Sequence, residues 1–124
     1  MKHDIQIQQD IKLLVDSFYK KVEVNPVIGY IFTDVAKVNW QLHLPKMYNF
    51  WSSIILGDQS YEGNPMLTHI KLGKLTPLGE KEFEEWLLLF NATIDELFEG
   101  AKANEAKLRA GNIARLMQFK VQTR

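Results

Sequence analysis

The chain contains no cysteine, so disulfides, iron–sulfur clusters and thiolate metal sites are excluded. It has no net charge: 15 basic and 15 acidic residues cancel. That balance argues against a nucleic-acid partner, which would need clustered Lys and Arg. Long apolar runs are missing too. The longest, Trp86 to Phe90, is far too short to cross a bilayer, and Met1 to Asp10 lacks the apolar core of a signal peptide. The expectation is a soluble, cytoplasmic protein with no membrane partner. There is no phosphate-binding glycine loop, no nucleophile elbow, no strand alternation and no internal repeat. Histidine is scarce, with only His3, His43 and His69.

What remains is an apolar-rich helical pattern. The 124 residues, 46% hydrophobic and 24% charged, fit one globular domain over 1–124. Ile11, Leu14, Val15, Phe18 and Val22 recur at i, i+3, i+4, i+7 and i+11, predicting an amphipathic helix with Tyr19 at its flank. Asn25-Pro26 stops it. Val27 to Phe32 reads as a short helical turn or a corner, and Thr33 to Asn39 as a connector. His43, Met47, Phe50 and Trp51 then share one helical face. Pro45 leaves two starts open for that helix: near Pro45 itself, or near Trp40 after an Asn39 cap, with a bend at the proline. Gly57 ends it.

Asp58 to Leu75 is loop-rich, with a short turn after Asn64-Pro65 carrying His69. Thr76-Pro77 signals a further helix through Phe83, Trp86, Leu87, Phe90, Ile94 and Leu97, with Gly100 past its end. A last helix shows Ala103, Ala106, Ala110, Ile113, Ala114 and Met117, small residues that permit close approach. The expected fold class is all-α, with five or six helices.

Neither His43 nor His69 has the carboxylate three residues earlier that a di-iron bundle needs, and no clustered zinc ligands are visible. Haem asks for less: one imidazole on the iron and an apolar slot. Tyr19 O–H, Trp86 N–H and His43 are candidate donors to a ligand on that iron, and Lys46 and Lys71 could meet its propionates. The same side chains are compatible with ordinary structure. A lone histidine is usually a surface or satisfied residue, and a Met47, Phe50, Trp51 stripe is more often core than cofactor wall.

Two blocks narrow the choice: His43-Leu44-Pro45-Lys46-Met47 followed by Phe50-Trp51, and Tyr61, Gly63 and Pro65 followed by His69. Around them stand Phe18-Tyr19, Val22, Pro26, Ile28-Gly29, Ile31-Phe32, Trp40, Leu56-Gly57, Pro77, Phe83, Trp86-Leu87, Leu89-Phe90, Arg109-Ala110 and Ile113-Ala114. In this order the chain resembles the group III truncated haemoglobins over almost its whole length. The resemblance implies a truncated globin fold, a two-over-two helical sandwich around haem b, with His69 as the proximal iron ligand. It implies a distal pocket of Tyr19, His43, Met47 and Trp86, with Phe32, Phe50 and Trp51 against or behind the haem, and Phe90 and Lys46 also at the cofactor. Glu82 and Glu85 depart from the pattern, standing where many relatives carry His and Arg.

The function implied is binding of O2, NO or CO at a His-ligated iron, for redox or detoxification chemistry rather than bulk transport. An enzymatic alternative is nitric-oxide dioxygenation or peroxide reduction, served by an unidentified reductase. A cofactor-free helical interaction module is the third reading.

Overall fold

The computed structural model describes residues 2–57 and 78–122, with side chains through Phe119. Among them are four α-helices: α1 (Gln8–Glu23), α2 (Trp40–Ile55), α3 (Glu80–Leu97) and α4 (Ala101–Gln122). One π-helical turn, Ile31–Val35, lies between α1 and α2. No strand occurs among the described residues. The turn carrying His69, and the Thr76-Pro77 start signal, lie outside them. No helix among them is long and apolar enough to cross a membrane.

α1 follows the predicted stripe. Ile11, Leu14, Val15, Phe18, Tyr19 and Val22 are all buried, each apolar side chain contributing about 1.5–3 kcal/mol by leaving water. Asp10 Oδ2 accepts from the amides of Gln6 and Ile7 at 2.9 and 3.1 Å and so closes the free N-terminal end of α1. α1 and α2 pack as one layer and α3 and α4 as the other, and the layers meet through α1 on α3 and α2 on α4. Ala103, Ala106, Ala110 and Ala114 are buried on α4, the small residues allowing the backbones of α3 and α4 to approach.

α2 begins at Trp40 and carries Pro45 inside it, which resolves the two starts in favour of the earlier one. Asn39 makes this possible. Its side-chain oxygen accepts from the amides of Gln41 and Leu42 at 3.1 and 3.4 Å, offsetting the ladder bond that the proline cannot make. The expected connector 33–39 is partly helical, since the π turn reaches Val35. α3 starts at Glu80, three residues after Pro77, with Gly79 as its cap and Glu82 Oε1 accepting the Gly79 amide at 2.7 Å.

The N-terminal segment is more than a solvated leader. Ile5 is buried. Asp4 reaches across the fold to accept the amides of Lys102 and Ala103 at 2.9 and 2.8 Å, capping α4. The Glu99 amide donates to the His3 carbonyl at 3.2 Å. The His3 ring stays exposed and meets Phe98 edge-on, 5.7 Å between centroids. Burial alone would raise the Asp4 carboxyl, but the amides of Lys102, Ala103 and Ile5 and the Lys102 charge outweigh it and hold Asp4 below the ordinary carboxylate range.

Candidate functional site

Two groups of rings meet where α1, α2 and α3 converge. The first surrounds Tyr19. The π turn delivers Phe32, the first turn of α2 delivers Trp40 and His43, and all three rings reach the tyrosine. Centroid separations from Tyr19 are 5.8 Å to Phe32, 5.2 Å to Trp40 and 5.3 Å to His43. His43 Nε2 lies 3.3 Å from Tyr19 Oη. The direction of that hydrogen bond depends on the His43 tautomer. Trp40 stacks on Phe32 at 6.2 Å and 17° and meets His43 edge-on at 5.8 Å.

The second group lies between α2 and α3. Trp51 stacks on Phe90 at 4.5 Å and more loosely on Trp86 at 6.4 Å. Trp86 and Phe90 are nearly parallel, 5.5 Å apart. Phe18 edges onto both, at 5.8 and 5.3 Å, and its contact with Tyr19 at 4.9 Å joins the two groups. Such edge and offset arrangements suit the ring quadrupoles.

Of the residues expected at the site, Tyr19 and His43 are brought into direct contact. Phe32, Met47, Phe50 and Trp86 are half-buried, packed on the core by one side. Trp51 and Phe90 are fully buried and stand behind them. Lys46 is exposed on α2. His69 lies outside the described residues. Trp40 is the addition. In the sequence it marked the start of a helix and stood among the residues of the resemblance, but carried no site role, although it extends the His43, Met47 face by i−3.

The turn before Phe32 is held by specific polar contacts. Asn25 Oδ1 accepts from the amides of Val27 and Ile28 at 2.8 and 3.0 Å, and its Nδ2 donates to Glu85 on α3 at 2.7 Å. Glu85 and Glu82, the two departures from the expected pattern, thus have structural partners: Glu85 ties α3 to this turn and Glu82 caps α3. Gly29 sits where the turn crosses α1, and a Cβ there would lie 2.8 Å from the Val22 carbonyl oxygen. The π turn closes through the Ala36 amide to the Ile31 carbonyl at 2.7 Å; such turns concentrate at functional sites.

Burial pushes the Tyr19 phenol well above the ordinary tyrosine range, so its proton stays on the oxygen at neutral pH. Tyr48, on another face of α2, is pushed up to about 12 by burial and by its hydrogen bond to Asp16. A groove of about 330 Å³ runs between α1 and α2 past Lys12, Pro45, Tyr48 and Ser52. None of the expected site residues among the described ones lines it; donors and apolar rings coincide instead in the ring cluster.

Comparison with known proteins places the chain in a family. The profile of the bacterial-like globin family matches residues 3–121. The group 3 truncated hemoglobin ctb of Campylobacter jejuni is 32% identical over 117 residues, covering 92% of this chain and 90% of that protein. The crystal structure of the group III truncated hemoglobin from Campylobacter jejuni aligns with a TM-score of 0.84 at 31% identity, covering 98% of this chain and 95% of that one.

Proposed function

The chain belongs to the bacterial-like globins, in their group III truncated form, and we propose that it holds haem b against the half-buried faces of α2 and α3 and takes up diatomic ligands there. Globin membership implies haem and gaseous ligands such as O2; the haem type, the further ligands NO and CO, and the residue roles below are our reading. The observation that carries it is the buried Tyr19 paired with His43 at the edge of an apolar wall. The wall fits a flat macrocycle. Phe32, Met47, Phe50 and Trp86 are anchored on the core and only partly buried, so covering them removes their remaining apolar surface from water at about 25 cal/mol per Å². Trp51 and Phe90 back that wall. His69 is our assignment for the iron ligand, resting on the Tyr61-to-His69 sequence block, and Lys46 for a propionate partner.

Haem, when bound, supplies an iron with reversible affinity for O2, NO and CO. The chain's own side chains set the surroundings. Tyr19 Oη keeps its proton because burial disfavours the phenolate. His43 Nε2 either accepts a hydrogen bond from the Tyr19 O–H or donates one to the phenol oxygen. In the second arrangement the Tyr19 O–H is left to donate to a ligand. Trp86 N–H is the second proposed donor. Each hydrogen bond to a ligand carrying partial charge would contribute about 1.5–3 kcal/mol, and about 1.4 kcal/mol already slows release tenfold. Tight retention suits redox or detoxification chemistry better than transport. The same pair favours a second reading, NO dioxygenation or peroxide reduction with a reductase as electron donor, because an imidazole beside a buried phenol can carry a proton.

The test is an absorption spectrum. The protein loaded with haem should show a Soret band; His69→Ala should lose it on gel filtration and His43→Ala should keep it. Reversed outcomes overturn the ligand assignment. No band after haem addition overturns the function and leaves the interaction module.

A further inference from the structure

We propose that Trp40 is a positioning residue for the Tyr19–His43 pair; this rests on the haem reading above for its consequence and on geometry for its cause. The Tyr19–His43 bond is 3.3 Å long, at the outer limit of useful hydrogen-bond geometry. It cannot fix two rings from two different helices by itself. Tyr19 is held on its other side by Phe18, from its own helix. Among the described residues, its other ring contacts are with Phe32, Trp40 and His43. The indole meets Tyr19 at 5.2 Å, His43 at 5.8 Å and Phe32 at 6.2 Å, so among the described residues it is the ring in contact with the phenol, the imidazole and the π-turn aromatic together.

Trp40 is itself anchored. It is the first residue of α2, whose opening turn is pinned by Asn39. Its stacking partner Phe32 lies in a turn closed by the Ala36-to-Ile31 and Val38-to-Phe32 backbone bonds at 2.7 and 2.9 Å. The indole therefore wedges between two fixed pieces of backbone and sets the distance and tilt of the two polar rings. His43 is three residues along the same helix face, so removing the wedge takes away the aromatic edge that the imidazole packs against and shifts its tilt toward Tyr19. The Tyr19 hydroxyl would then lose the partner that aims it. Trp40 acts through these two side chains and touches no ligand in this account.

The experiment uses the haem-loaded protein with carbon monoxide as the probe and reads its infrared stretching bands from pH 5 to 9. These bands separate ligand populations that accept a hydrogen bond from those that do not. Tyr19→Phe identifies the band that depends on the phenol. Trp40→Leu, which fills the space without an aromatic edge, should reduce that band's population roughly fivefold, the order expected on losing one aimed hydrogen bond. Trp40→Phe should restore most of it. Urea unfolding of both variants shows that the comparison is between folded proteins. Wild-type bands in folded Trp40→Leu overturn the proposal, as does equal loss in Trp40→Phe. If the wild-type chain takes up no haem, the function proposed above fails on its own. The Trp40 role is then read in the haem-free chain from the nuclear Overhauser contact between the Tyr19 and His43 rings: its loss in Trp40→Leu supports the proposal and its retention overturns it.

Discussion

Replacing Gly29 by alanine adds one methyl group at the point where the turn after α1 crosses back over that helix. The added carbon would lie 2.8 Å from the Val22 carbonyl oxygen and 3.0 Å from that of Glu23. Both obstacles are backbone. The Val22 carbonyl is fixed by the Asn25 amide at 3.1 Å, and the Gly29 amide is fixed on the Asn25 carbonyl at 3.0 Å, so neither side yields cheaply. Alanine for glycine usually stabilises by about 0.4–1 kcal/mol through the unfolded chain. Here a steric penalty opposes it; with both contacts on fixed backbone, the upper part of the overpacking range applies, about 2–3 kcal/mol, for a net loss of about 1–2.6 kcal/mol. In a chain of this size each kilocalorie lowers the melting temperature by about 3–6 °C. Thr33 Oγ1 bonds the Gly29 carbonyl at 3.2 Å, so the shift passes to the π turn and to Phe32 beside Tyr19. Gly111→Ala is the matched control. Its Cβ would meet only the flexible Arg115 guanidinium, at 3.6 Å, and mid-helix alanine should stabilise α4 by about 0.5–1 kcal/mol. Urea denaturation followed by circular dichroism should therefore give opposite signs for one and the same substitution. A Gly29→Ala midpoint equal to or above wild type refutes the reasoning.

Asp4→Ala removes the acceptor for three amides, Ile5, Lys102 and Ala103, and should cost about 1–2 kcal/mol. Because the folded carboxyl is held below its ordinary value, its stabilisation is present above about pH 4 and lost as pH falls further; thermal melts between pH 7 and 3 should show a shallower acid slope in Asp4→Ala. At the other end of the scale, Tyr19 is raised by burial, so its contribution is complete below pH 10 and is lost as pH rises above the ordinary tyrosine value; Tyr19→Phe should flatten the alkaline loss of stability between pH 10 and 12. The same variant, loaded with haem, should release O2 roughly tenfold faster or more in stopped-flow measurements, and an unchanged rate removes the phenol from the ligand's surroundings. Asn25→Ala should destabilise by about 1–2 kcal/mol and more than Glu85→Ala, because it also strips two turn amides of their acceptor; equal losses would mean that the Glu85 bond alone matters.

The long periodic helices were legible in the chain because burial imposes a 3.6-residue period that few other constraints produce. The α1 stripe is buried as its spacing predicts, and the Asn39 cap stands at the start of α2. The π turn was legible only at its start, within the short helical turn or corner read over Val27 to Phe32; its extension to Val35 was not. Residues 33–39 have no apolar period, and the turn is held by backbone bonds and by contacts with α1, which a one-dimensional pattern does not encode. The role of Asp4 was hidden for a related reason: its partners are nearly a hundred positions away. Within the site, the meeting of Tyr19 and His43 came from the resemblance, since spacing alone cannot say which faces of two helices oppose each other. Trp40 was visible as a residue but not as a hub, because its three ring contacts come from three separate elements.

The Asp4 clasp bears on how the molecule is made. During synthesis Asp4 emerges long before the amides of Lys102 and Ala103 exist, so α4 begins uncapped and the clasp can close only once α4 has been made. Joining positions so far apart carries a large loop-closure entropy unless the intervening helices have already docked. The clasp is accordingly a late latch on a pre-assembled fold, and any segment fused on the N-terminal side of Asp4 would trail from the very corner where that latch must engage.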